Sequence, residues 1–225
     1  MVRAVCAALL LSLVLVCTVL PANADPIQLL NFNYLNDLQQ VGDFYNGGGG
    51  PNIPNYGVSF SSNVYGLRSA YAPVNPGSGN FSPNPTQTAA IFINGVTGVQ
   101  TTGYMNVANG FSSGLNFYYT AAFNETVTVW SGANGTGTVL ATLSLSPNNS
   151  SCSNGPAYCN WTSVGLTFNG TAKSVTFSGG ADGIGISDIT LGQSTTAIPE
   201  PSSIYLLGTG LVGLAIRGAR RLLAA

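Results

Sequence analysis

The sequence predicts an all-β protein, a two-sheet jelly-roll-like sandwich built from residues 25–197, with an apolar segment at either end. Three observations predict it. Apolar residues in the body recur with period two, clusters of turn-forming residues interrupt these runs at near-regular spacing, and no stretch of the body sustains a helical period. Successive side chains on a strand point to opposite faces, so period-two runs mark half-buried strands. Short strands at such spacing bury their apolar sides by packing one sheet on another.

The chain opens as a secretory signal. Arg3 supplies a minimal positive region, Ala4–Leu20 is apolar, and Ala22-Asn23-Ala24 has the small-x-small pattern. The expected cut lies between Ala24 and Asp25, making residues 1–24 a signal-peptide helix. The apolar stretch exceeds a usual signal core, so an uncut anchor is the alternative. A lipoprotein site at Cys17 is disfavoured by the bulky Val16 before it.

The first half of the body is the less regular one. Phe44–Pro51 contains four successive glycines and reads as a flexible, exposed loop, and Tyr71–Pro85 is a second long loop with four prolines. Long loops in compact domains often carry function. Tyr45, Tyr56, Tyr71 and Phe81 lie in or beside these loops among Asn and Ser, a mix that suits stacking on sugar faces and hydrogen bonding to hydroxyls. The commoner use of such rings is to pin a loop to the sandwich.

The second half alternates clearly. Leu115, Phe117 and Tyr119 share one parity, Val127 and Val129 oppose Thr126, Thr128 and Trp130, and Val139, Ala141, Leu143 and Leu145 form an apolar face. Val164, Leu166 and Phe168 repeat the pattern, as do Val175 and Phe177. Gly132–Gly137, Pro147–Gly155 and Gly179–Gly183 are turn clusters, and Asn169-Gly170 is a hairpin signal. In the last run Ile184 and Ile186 have one parity but Ile189 and Leu191 the other. Such a slip exposes one pair unless a bulge or sheet switch intervenes near Gly185, Ser187 and Asp188. Cys6 and Cys17 leave with the signal peptide, so Cys152 and Cys159 remain as an even pair. In an oxidising compartment a disulfide is the default for them.

The tail is organised differently. Pro199-Glu200-Pro201 precedes an uncharged apolar run, Ser202–Ile216, and Arg217, Arg220 and Arg221 close it. As a helix the run spans roughly 22 Å, extended toward a ~30 Å hydrocarbon core by snorkelling arginines and the apolar residues beyond them. The arginines favour the cytoplasmic side, so the body lies outside, and the helix anchors the chain in the inner membrane. The two prolines hold the segment before it extended. In this order the residues resemble the PEP-CTERM sorting signal of Gram-negative bacteria, here residues 198–225. The resemblance implies recognition and removal of the helix by a membrane protease-transpeptidase, an exosortase. A simple tail anchor that is never cut is the alternative.

The body too resembles a domain of PEP-CTERM exoproteins, through V-G-D-F-Y-N-G-G-G-G (41–50), N-Y-G-V-S-F-S-S-N (55–63), M-N-V-A-N-G-F (105–111), N-G-T-G-T-V-L-A-T-L (134–143), A-K-S-V-T-F-S-G (172–179) and I-G-I-S-D-I-T-L-G (184–192). It implies an exported β-sandwich and transfers no catalytic residue. Ser131 and Ser187 stand where related chains often carry an acid.

The chain has no histidine, which removes Ser-His and Cys-His pairs and histidine metal sites. No phosphate-cradling motif is present. The body's bases are Arg68 and Lys173, too few for nucleic acid or an anionic lipid surface. No cofactor is expected. Among ligands calcium is the more credible, with Asp182 and Asp188 as candidates, joined by Asp25 and Glu125 if the fold gathers them; the simpler reading, which is favoured, is solvated acids beside turns. The expectation is a non-catalytic surface or matrix protein, processed by an exosortase and associated with exopolysaccharide. The alternative is a sugar-binding module of the sandwich type.

Overall fold

The computed structural model describes residues 28–84, 87–96, 99–150, 152 and 155–192. The signal peptide with its Ala24–Asp25 cut, and the tail with Pro199, Glu200, Pro201, Arg217, Arg220 and Arg221, lie outside the described residues. Among the described residues no helix is long and apolar enough to cross a membrane.

The described body is all-β, as its alternation predicts. Its strands are β1 (Gln28–Leu30), β2 (Val58–Phe60), β3 (Val64–Arg68), β4 (Ala89–Ile93), β5 (Gln100–Phe111), β6 (Gly114–Ala121), β7 (Glu125–Trp130), β8 (Val139–Leu145), β9 (Thr162–Thr167), β10 (Ala172–Gly180) and β11 (Ile184–Leu191). They form two antiparallel sheets. The first has the order β3-β4-β11-β6-β9, with β1 also paired to β11; the second is β2-β5-β10-β7-β8. Between them lies a continuous core in which Phe117 of β6 meets Phe177 of β10 edge-on at 6.2 Å. Burying each ring contributes roughly 1.5–3 kcal/mol.

The parity slip in β11 is resolved by a bulge. Pairing with β6 shifts register between Ser187 and Thr190, and Asp188 takes φ 53°. Ile184, Ile186, Ile189 and Leu191 are therefore all buried. The opposite edge changes partner at the same place: β4 pairs with Gly185 and Ile186, and β1 with Ile189–Leu191.

Two expectations change. Asn169-Gly170 does not make a hairpin, because β9 pairs with β6 in the first sheet and β10 with β5 and β7 in the second. Both edges of β10 are taken, so the turn crosses between sheets, and Phe168 beside it packs edge-on against Phe111 at 5.4 Å. The apolar face of β8 is only partly buried: Val139 is 47% exposed. β8 is an edge strand, and its register against β7 shifts between Val129 and Trp130, turning Val139 outward. The Phe44–Pro51 loop is tied down rather than loose. Tyr45 bridges to Val58, and the Asn46 and Gly48 amides donate to the Asp43 carbonyl at 2.8 and 2.9 Å.

Candidate functional site

A cleft of about 300 Å³ opens on the outer face of the first sheet. Register explains it. Tyr65, Phe92, Gly185 and Thr120 form one cross-strand row over β3, β4, β11 and β6. Side chains of one row stand on one face, and the row has a gap where Gly185 has none. Leu67 and Ala90, paired on the same face, extend the floor. A methyl at Gly185 would come within 3.1 Å of Thr120 Cγ2 and 3.4 Å of Trp161 Cη2, so the glycine lets the indole edge lie close to the sheet.

The wall is built by two loops far apart in sequence. Phe81 and Tyr158 form a parallel bridge. The Ser82 amide donates to the Tyr158 carbonyl at 2.9 Å, the Tyr158 amide to the Asn80 carbonyl at 3.1 Å, and the Ala157 amide to Asn80 Oδ1 at 3.0 Å. Trp161 Nε1 donates to the Ser82 carbonyl at 2.8 Å, and its ring meets Phe81 edge-on at 5.8 Å. The expected disulfide is present: Cys152 and Cys159 are bonded, with Cα atoms 5.5 Å apart, and close the loop that carries Tyr158. The Tyr158 hydroxyl donates to the Asp182 carbonyl at 3.2 Å, joining this wall to the start of β11.

The cleft lining carries one acid, Asp182, and neither base of the body. Thr120 is 1% exposed, and its Oγ1 has no hydrogen-bond partner among the described residues. Burial, with the charges of Asp182 and Glu125 adding to it, pushes the Tyr158 phenol up from its ordinary value. The two bases of the body are engaged elsewhere: Arg68 donates from Nε to the Asn75 carbonyl and from Nη1 to the Asn33 carbonyl, each at 2.8 Å, and Lys173 Nζ to the Ala108 carbonyl at 3.0 Å. Glu125, 3% exposed, accepts from the Gly180 amide at 3.1 Å. Burial raises its pKa from 4.5 to about 7, against the opposing pull of that hydrogen bond.

The sequence candidates scatter. Tyr45 is 2% exposed, wedged among Phe32, Phe44 and Tyr56, and its hydroxyl donates to the Asn31 carbonyl. Burial pushes its phenol far up. It is a core residue, unavailable to a sugar, and half-buried Tyr56 stacks on it at 6.3 Å. These two rings pin the glycine loop. Tyr71 is 52% exposed, and Phe81 alone of the four lines the cleft. Asp182 lies before β11, whereas Asp188 sits in the bulge and accepts from Asn84 Nδ2 at 3.2 Å. Five residues of mostly extended chain lie between them, a span of roughly 15–20 Å along the strand. Among the described residues no three His, Cys, Asp or Glu groups gather for a metal. The cleft residues that sequence reasoning missed are Thr120, Tyr158, Leu67 and Phe92. The signal that could have pointed to Tyr158 is an aromatic placed beside a disulfide cysteine.

Comparison with known proteins bears on the two parts of the chain separately. No curated protein matches. Among solved structures, a family 6 carbohydrate-binding module is 18% identical, covering 60% of this chain and 87% of its own at a TM-score of 0.36. A cleaved adhesin domain of Lys-gingipain from Porphyromonas gingivalis is 10% identical over 76% of this chain and 99% of its own, at 0.44. A family 29 carbohydrate-binding module is 13% identical over 79% and 96%, at 0.42. Likenesses this distant bring neither ligand nor activity to this chain. At the C-terminus, residues 197–221 match the family described as the PEP-CTERM protein-sorting motif. Such a motif marks an exported, envelope-directed protein handled by an exosortase. The arrangement of Pro199-Glu200-Pro201, apolar run and arginines is that motif, and the chain is a PEP-CTERM domain-containing protein.

Proposed function

We propose that this is a non-catalytic protein of the cell surface or extracellular matrix, held in the inner membrane by its C-terminal helix until an exosortase acts at Pro199-Glu200-Pro201, and then embedded in exopolysaccharide. The observation that carries this is the sorting motif at residues 197–221, which ends in three arginines that favour the cytoplasmic side. The body beside it is a jelly-roll-like sandwich whose sparse charge suits a hydrated polysaccharide and offers little to nucleic acid. The test is the intact mass of envelope-bound protein from hosts with and without the sorting protease. Loss of the mass of the helix only where the protease is present supports the proposal; an identical mass in both hosts overturns exosortase processing.

A second reading, a sugar-binding module, is favoured by one specific observation: the cleft lined by Phe81, Tyr158 and Phe92 together with polar Asn80 and Asp182. Aromatic surface beside a hydrogen-bonding group is the chemistry by which a sugar's apolar face and its hydroxyls are both met. Retention of the protein on its host's exopolysaccharide, weakened by Phe81→Ala, supports this reading; equal retention of both proteins removes the cleft from it.

A further inference from the structure

We propose that one end of the sandwich, formed by the Ser112–Gly114 and Phe168–Thr171 turns around the exit of the tail at Gly192, is the surface that meets the exosortase, and that the cleft lies toward the opposite end. This rests on the proposed processing at Pro199-Glu200-Pro201 and adds the part of the body that the enzyme touches.

Strand pairing fixes the end. Gln28 of β1 pairs with Leu191 of β11, so the chain enters the sandwich at the end by which it leaves. Leu191 also pairs with Leu115 of β6, and Gly114 with Thr167 of β9. The Gly192 amide donates to the Gly114 carbonyl at 3.0 Å, and the Phe168 amide to the Ser113 carbonyl at 3.3 Å. The tail therefore leaves beside these two turns, which are stitched to each other. The cleft is elsewhere. Gly185 in its lining lies back along β11 from Leu191 by roughly 20 Å at the rise of a strand. Beyond it, at the far end, the Ala181 amide donates to the Val99 carbonyl at 2.9 Å, and Val96 is 73% exposed.

Reach then brings the enzyme to this end. Only residues 193–198 separate Gly192 from Pro199. Even fully extended, the chain from Gly192 to Pro199 spans at most about 25 Å. An enzyme that grips Pro199-Glu200-Pro201 is at least the size of a small domain, roughly 30 Å across. Its flank therefore reaches the body, and the end that releases the tail is the first surface it meets. The chemistry of that end suits close approach. Ser113, Asn169, Gly170 and Thr171 are exposed, small and uncharged. Lys173, the base nearest in sequence, is held on the Ala108 carbonyl at 3.0 Å. No charge has to be stripped of water at these turns, which is the costliest step in bringing two polar surfaces together. The far end differs: Asp182 lies in the turn after β10, and Glu125 beside that turn accepts from the Gly180 amide.

The test places bulk at either end of the full chain and follows the loss of its helix. The chain accumulates in host cells whose exosortase is under an inducible promoter, and its own synthesis is then shut off. In spheroplasts, Asn169→Cys at the tail end and Val96→Cys at the far end are each capped with a long poly(ethylene glycol) maleimide, or with N-ethylmaleimide as the small control, before the enzyme is induced. Cys152 and Cys159 are bonded to each other and do not react. Gel mobility over time reads the shortening of each labelled form. The polymer on Asn169 should slow shortening about tenfold relative to its N-ethylmaleimide control, and the polymer on Val96 by less than about twofold. Inserting about twenty Gly/Ser residues after Gly192, which adds roughly 25 Å of reach, should restore the rate of the Asn169 polymer. Equal slowing from both ends, no slowing from either, or a block that survives the longer tether overturns the assignment of this surface while the processing reading stands. If not even the N-ethylmaleimide controls are shortened, the processing reading falls and takes this surface with it.

Discussion

Glu125→Gln isolates one buried ionisable group. The carboxyl sits at the β7 end of the sandwich with its side chain packed into Gly179, and the Gly180 amide donates to it. Its pKa is raised from 4.5 to about 7. A shift of that size is worth about 3 kcal/mol at 1.36 kcal/mol per unit. The sign follows from which state holds the proton. Below pH 4.5 folded and unfolded chains both carry it, and there is no penalty. Between 4.5 and 7 the unfolded chain releases it while the folded chain retains it, so stability falls as pH rises, and the loss is complete above 7. Glutamine keeps an acceptor for the Gly180 amide but has no proton to lose. Urea denaturation of the detergent-purified chain at pH 4.5, 6 and 8, followed by the fluorescence of Trp130 and Trp161, reads the difference between the two proteins, in which other titrating groups cancel. The unaltered protein should lose about 3 kcal/mol relative to Glu125→Gln between pH 4.5 and 8. Parallel stability curves across that range would refute a buried carboxyl of raised pKa.

Two further outcomes follow from packing and cross-linking. Gly179→Ala should cost about 3 kcal/mol or more, because its methyl would lie 1.6 Å from Glu125 Oε2 against a buried side chain; soluble yield and urea midpoint check it, and a near-neutral result would mean the carboxyl lies elsewhere. Removing the disulfide by Cys152→Ser with Cys159→Ser should cost about 2 kcal/mol, the low end for such a short loop, and should red-shift the Trp161 emission as the wall loosens; an unchanged midpoint and spectrum would show that the hydrogen bonds between the two loops suffice.

What the sequence determined by itself is whatever depends on local order. The sorting motif is a string of neighbouring residues, and it was legible as such. The strands of the second half were legible because a pleated chain writes its buried face into alternate positions, as at Val127 and Val129 or Val175 and Phe177. The β11 irregularity could even be located, since a parity break has few physical remedies. The disulfide needed only an even count and an oxidising compartment.

Only the tertiary structure decided which strands are neighbours. Periodicity says that a residue faces inward but not which sheet it belongs to, and so Asn169-Gly170 read as a hairpin when it crosses between sheets. The same limit hid the cleft. Leu67, Phe92, Gly185 and Thr120 come from four strands and meet through cross-strand register, while Phe81 and Tyr158 meet through a bridge between distant loops. Tyr45 looked like a loop aromatic open to a ligand, and burial made it a core ring. Pairing across long sequence separation depends on the total area buried by the whole sandwich, a property that no single window of residues contains.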